Sequence, residues 1–168
     1  MLAMNLSDLI TARAAKFGDK EFLLFERQPR EAEGLDSFRQ SLTYREIETC
    51  IDRACHYLSA QGLKQGDVFN LHLPNCPAFL ILWFAAARLG AVMMPTNVLA
   101  SADELTYLLG HSESKVAFTT AEHLSTLGQC QSQLEGLETI VLCDPYSIDP
   151  VAACSVKSLA ALSAQGPV

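Results

Sequence analysis

Gly66–Ser101, GDVFNLHLPNCPAFLILWFAAARLGAVMMPTNVLAS, decides the fold. Asp67 to Leu73 reads as a buried strand. Asn75 is placed to start a helix, with Pro77 in the first turn, where a missing N–H costs nothing. Phe79, Leu80, Leu82, Trp83, Phe84 and the alanines make this helix apolar almost all round, which predicts burial rather than a surface position. Gly90 is placed to close it in a left-handed cap. Val92 to Met94 follows as a second short buried strand, stopped by Pro95. A strand, a helical crossover and a second strand predict a parallel pair in one sheet.

Working outward, the chain alternates in the same way on both sides. Asn5 or Ser7 caps a first helix with the stripe Leu6, Leu9, Ile10 and Ala14, and Gly18 lies just past its end. Glu21 to Phe25 is a strand, residues 26–40 an exposed hairpin loop, and Ser41–Leu42 a short partner strand. In LTYREI, Thr43 and Glu46 form a capping box, and Leu42 and Ile47 are spaced as the hydrophobic staple across it. Thr43→Ala is expected to lower stability by ~1 kcal/mol in urea unfolding, through the lost cap and not through chemistry. That helix continues to Gly62. Gly62 and Gly66 bracket a turn that follows a helix and precedes a strand, the reverse of a phosphate loop.

Ser101 with Glu104 is a second capping box, opening a helix that ends at Gly110. Lys115 to Thr119 is a strand, Thr119 or Thr120 caps a helix to about Gln131, and Thr139 to Cys143 is a further strand. Asp144-Pro145 and Asp149-Pro150 are turns. Ser155 to Ser163 reads as a short last helix, and residues 164–168 as a tail. The expected architecture is one α/β domain over residues 1–168, a mainly parallel β-sheet flanked by helices on both faces.

Bulk properties exclude several functions. The chain has 168 residues, long enough to bury a core without a disulfide or metal staple. A net charge of −7 with no basic run argues against a nucleic-acid partner. The apolar run Phe79–Ala87 is too short to span a bilayer, and the first residues lack a positive leader, so a cytoplasmic location is expected. Six cysteines, at 50, 55, 76, 130, 143 and 154, form no C-x-x-C pair and predict reduced thiols with no metal site. Apolar residues reach 49% and charged ones only 18%, which fits either an α/β domain with many buried helices or a piece of something larger with a face meant to be covered. Such a face predicts a homodimer or larger species in sizing experiments; a clean monomer that binds no hydrophobic dye would contradict it. His56, His72, His111 and His123 have no catalytic spacing to a Ser, Cys or carboxylate, and structural roles are expected for them.

Five words in order, LTYREI (42–47), QGLKQGD (61–67), LPNCPAF (73–79), ARLGAVMMPTN (87–97) and DELTYLL (103–109), resemble the N-terminal part of the AMP-forming adenylating enzymes. These are the acyl-CoA synthetases, luciferases and peptide-synthetase adenylation domains. LHLPNCPAF with WFAAARLGAVMMP looks most like the CoA ligases of small or medium acids, crotonobetaine/carnitine-CoA ligase among them. The resemblance implies a parent enzyme that uses ATP, Mg and CoA to turn a carboxylic acid into an acyl-adenylate and then a thioester. The family's Ser/Thr/Gly-rich loop ending in Pro-Lys, its ribose-binding Asp and its C-terminal lysine have no counterpart before Val168. The chain therefore reads as an inactive fragment with no bound cofactor, whose partner is the remainder of the same polypeptide. In some family members a basic residue after the second strand meets a CoA phosphate; here Pro95-Thr96-Asn97-Val98-Leu99 puts leucine there. Asn97 is left as the one candidate on the substrate or CoA side, and shaping the turn is its plainer role. Thr43, Glu46, Gly66, Asp67, Asn75, Gly90, Pro95 and Glu104 are read as structural. The alternatives are a stand-alone binding module with this fold, and an adenylation domain that loads a carrier protein.

Overall fold

The computed structural model describes residues 5–27, 38–130, 134, 136–145, 147 and 154–158. Two sheets organise them. Strands β1 (Glu21–Arg27) and β2 (Phe38–Thr43) form an antiparallel pair. Strands β3 (Val68–His72), β4 (Val92–Pro95), β5 (Val116–Thr119), β6 (Thr139–Leu142) and β7 (Ser155–Ser158) form a sheet in the order β4-β3-β5-β6-β7. The first four are mutually parallel, and β7 joins the edge antiparallel to β6. Helices α1 (Leu6–Phe17), α2 (Tyr44–Ala60), α3 (Pro77–Leu89), α4 (Ala102–Ser112) and α5 (Leu124–Cys130) complete the fold.

The two-residue period of the strands sorts the core into two layers. Phe69 and Leu71 of β3, Val116 and Phe118 of β5 and Val141 of β6 pack with α2 and α3. Their neighbours Ala117 and Ile140 turn the other way and pack with Leu105 and Leu109 of α4 and Leu127 and Cys130 of α5. Helices thus cover both faces, as the alternation of strand and helix predicts. Arg88 of α3 ties the first layer together: Nε donates to Ser7 Oγ of α1 at 2.8 Å, Nη1 to Asp52 of α2 at 2.7 Å and Nη2 to Glu48 of α2 at 2.8 Å.

Both capping boxes are formed, Thr43 with Glu46 and Ser101 with Glu104, and Asn5 with Asp8 adds a third. Leu42 and Ile47, 5% and 0% exposed, close the staple. Gly90 caps α3 at φ 75°, and Gly66 sits at φ 86° in the turn before β3. A side chain at Gly90 would also bring its Cβ to 3.0 Å from Gln65 Cγ.

Several expectations are corrected. Asn75 does not cap α3: the cap position is Cys76, without a side-chain bond, and Pro77 opens the helix directly. The helix is not buried all round, since Trp83 is 44% exposed. β4 is not a buried strand but the edge of the sheet, with Val92 50% exposed, and that is where Pro95 is tolerated. The 26–40 loop is shorter than expected, because Glu26, Arg27 and Phe38–Gln40 belong to the β1–β2 pair; residues 28–37 lie outside the described residues. α4 runs past Gly110 to Ser112, and Glu113 takes the left-handed position at φ 54°. Thr119 ends β5 and Thr120 Oγ1 has no partner, so neither caps α5. The expected last helix begins as a strand: Ser155 and Ser158 pair with Leu142 and Thr139, and a four-residue alternating stretch on a sheet edge has no helical period to enforce. Asp149, Pro150, residues 159–163 and the 164–168 tail lie outside the described residues.

Candidate functional site

In an open α/β sheet, a crevice forms at the carboxyl edge where neighbouring strands send their connections to opposite faces. Here that point lies between β3 and β5. β3 leads to α3 in one layer, and β5 leads to α5 in the other. A cleft of about 610 Å³ lies along this edge. Pro74 follows β3, Thr120 to His123 follow β5, Leu142 to Pro145 follow β6, and Val98 and Leu99 form a rim beyond β4.

Behind the cleft lies a polar cluster inside an otherwise apolar sheet. Asn70 and His72 occupy alternate positions of β3, so both leave the Phe69 and Leu71 face, and both are fully buried. Asn70 Nδ2 donates to Met94 O at 3.0 Å and to Thr96 Oγ1 at 3.1 Å. Thr96 Oγ1 is also 3.0 Å from His72 Nδ1. Thr96 accepts from Asn70 and has one proton left, which it gives to Nδ1 when the neutral ring carries its own proton on Nε2. The His72 and His123 rings meet edge to face at 5.6 Å. Asn70 Oδ1, His72 Nε2, Thr119 Oγ1 and Thr120 Oγ1 are buried without a hydrogen-bond partner among the described residues. Each such atom costs about 1–3 kcal/mol when left unsatisfied, and of the four residues Thr120 lines the cleft.

Electrostatics limit what that surface is. Burial first, and the nearby His123 second, push His72 down to about 4. The ring is neutral at pH 7, a hydrogen-bonding group and a poor proton acceptor. Among the described residues that line the cleft, the charged ones are Glu122 and Asp144. An acidic rim does not fit a triphosphate, whose oxygens need cations or a nest of N–H groups. Among the described residues no group of three or more His, Cys, Asp or Glu is placed to hold a metal ion. The described lining residues therefore offer a triphosphate no cationic grip.

The residues singled out from sequence fall into two sets. Thr43, Glu46 and Glu104 are caps, and Gly66 and Gly90 are turn residues. Asp67 stands at the opposite, amino end of β3. Its carboxylate is held below the usual range, chiefly by the 2.7 Å bond from Lys115 Nζ, and that bond holds the Lys115 ammonium above its own. Asn97 starts the turn that carries the rim residues Val98 and Leu99. Its Oδ1 accepts from Leu99 N at 2.9 Å and its carbonyl from Ala100 N at 2.9 Å, so its side-chain oxygen is used in shaping the loop. Leu99 projects from that turn, 86% exposed. His56 is exposed on α2, and His111 stacks on Tyr107 at 5.7 Å. Sequence reasoning missed Asn70, Thr96, Thr119 and Thr120. The available signal was FNLH at 69–72, two polar residues at alternate positions of a buried strand.

The fold and its carboxyl-edge cleft define an open, mainly parallel α/β unit. A family model described as AMP-binding enzyme matches residues 10–161, and the chain belongs to that family. It is 33% identical over 118 residues to crotonobetaine/carnitine–CoA ligase of Salmonella typhimurium and 34% identical to that of Citrobacter koseri, in each case over 70% of this chain and 22% of the relative. Fatty acyl CoA synthetase of Mycobacterium tuberculosis shares the fold with a TM-score of 0.73 at 23% identity, over 89% of this chain and 30% of that one. Coronafacic acid ligase of Pectobacterium brasiliense does so with a TM-score of 0.68 at 20% identity, over 82% of this chain and 25% of that one. The chain thus spans about a fifth of the length of the curated relatives it matches, their N-terminal part. No helix among the described residues is long and apolar enough to cross a membrane.

Proposed function

We propose that this chain is the N-terminal scaffold of an ATP-dependent, AMP-forming acid–CoA ligase acting on a small or medium carboxylic acid in the cytoplasm. The parent enzyme joins the carboxylate to ATP as an acyl-adenylate, releases pyrophosphate, and passes the acyl group to the thiol of CoA. The observation that carries this reading is the family match over residues 10–161, joined to relatives named as CoA ligases. The role within the parent follows from the site. This chain contributes a wall: a carboxyl-edge cleft with a leucine rim, whose charged residues among those described are acidic. ATP, Mg and CoA are held by the remainder of the polypeptide, which is also the partner that covers this edge, and an uncovered chain pairs with its own copy. The chain alone neither adenylates an acid nor binds ATP well.

The test is a panel. The 168-residue chain, joined to the downstream part of its reading frame, is assayed for pyrophosphate release with small and medium carboxylic acids, with and without CoA. Release that requires an acid, followed by a CoA thioester, supports the reading. Turnover only with a carrier-protein thiol, or none with any acid, overturns the CoA-ligase assignment.

A further inference from the structure

Among the described residues β7 pairs with β6 at the edge of the sheet, and two thiols stand at that junction. The ladder ends at the pair Leu142–Ser155, and one step beyond it Cys143 faces Cys154. Residues directly opposite in an antiparallel ladder have Cα atoms about 4.5–5.5 Å apart. A disulfide spans about 4.4–6.8 Å between Cα atoms, a range that includes the spacing of the ladder this pair continues. The side chains agree: the two Sγ atoms are 3.3 Å apart, and both residues are thiols in this structure.

We propose that Cys143 and Cys154 are an oxidation site, a cross-strand dithiol that a peroxide converts to a disulfide, pinning β7 to β6 beside the cleft. Accessibility assigns the roles. Cys154 is half-buried and can meet an oxidant, whereas Cys143 is 4% exposed. The hydrogen bond shared with Cys154, and after it burial, also hold the Cys143 thiol well above the usual cysteine range. The Cys154 sulfur, as thiolate, attacks one peroxide oxygen; the O–O bond breaks, and one water leaves after protonation. The resulting sulfenic acid is then attacked by the Cys143 sulfur, which gives up its proton; the S–O bond breaks and a second water leaves. Two thiols lose two electrons and two protons, and hydrogen peroxide becomes two waters. Cys130 shows the contrast of a satisfied core thiol, with Ala102 O at 3.1 Å and Thr126 O at 3.2 Å from its Sγ. The consequence is local to the cleft, because Cys143 and Ser155 both line it.

The test uses the purified chain, treated with hydrogen peroxide, alkylated, weighed intact, and cut before Asp144 and Asp149. The expected product is lighter by about 2 Da before alkylation and has lost two alkylatable thiols. It links the peptide that ends at Cys143 to the one that begins at Asp149, fragment-ion sequencing puts the bridge on Cys143 rather than on Cys130 of the same peptide, and dithiothreitol reverses the link. Amide exchange across Ser155–Ser158 slows in the oxidised form. Cys154→Ser abolishes the link and Cys76→Ser leaves it. Because Cys154 is only half-buried, its variant keeps the test usable even where Cys143→Ser fails to fold. Both thiols still alkylatable, separate sulfinic or sulfonic acids, a link to another cysteine, or unchanged exchange in β7 would each overturn the proposal.

Discussion

Phe118→Ala is expected to remove about 3–5 kcal/mol of stability, most of what a domain of ordinary stability has. Phe118 is fully buried on β5, the strand between β3 and β6. Its ring meets Phe69 edge to face at 5.6 Å and Tyr57 of α2 at 6.4 Å. One side chain therefore joins two strands of the sheet to the helix layer above them. Truncation leaves a cavity that the flanking strands, fixed by their ladders, cannot close. The edge-to-face contacts, about 0.5–1.5 kcal/mol each beyond burial, are lost as well. Burial pushes the Tyr57 hydroxyl up to about 12, so it stays protonated and does not complicate a comparison at neutral pH. Urea unfolding measures the effect: the midpoint falls with the slope unchanged. Phe118→Leu, closer in volume, loses far less. Equal losses from both variants would show that packing at this position does not hold the layers together.

Acid weakens the fold through His72, in a window of its own. An unfolded histidine takes its proton near 6.5, whereas the folded ring, buried beside His123, resists until about 4. The unfolded state therefore binds more protons between those values, and stability falls as pH drops from about 6.5 toward 4. The full difference is about 3 kcal/mol, and about 2 kcal/mol is lost by pH 5. The depressed carboxylates Glu46 and Asp67 work in the same direction, but only as pH approaches and passes below the ordinary carboxylate range near 4. Unfolding free energies at pH 7, 6 and 5 isolate the histidine contribution. His72→Gln removes the titration and flattens that interval. A wild-type chain with constant stability from pH 7 to pH 5 would contradict a neutral, buried His72.

The sequence was most legible where local chemistry and tertiary packing agree. Thr43-x-x-Glu46 and Ser101-x-x-Glu104 specify helix starts by hydrogen bonds that close within one turn, and both appear as read. Gly90 was legible because few other residues adopt φ 75° without strain. Legibility failed where neighbours outside the local stretch decide. Val92–Pro95 is as apolar as a central strand, yet the strand order sets it on an edge. Ser155–Ser158 is strand because β6 offers it a free edge, a partner that no local pattern announces. The candidate site shows the same division. Asn97 was legible as a turn former, while Asn70, Thr96 and His72 form a cluster only because β4 lies beside β3, which places Thr96 within reach of both side chains. The Cys143–Cys154 pair escaped notice because β7 was read as a helix.

Pyrophosphate release by the 168-residue chain itself, supplied with ATP, Mg and a panel of small carboxylic acids, tests the central claim most directly. The cleft carries Glu122 and Asp144 where a phosphate chain needs cations, so the expected result is no release above the background of ATP alone. Acid-dependent pyrophosphate from the chain alone would show that these residues hold the nucleotide themselves, and would contradict a scaffold that supplies shape while the rest of the polypeptide supplies the grip.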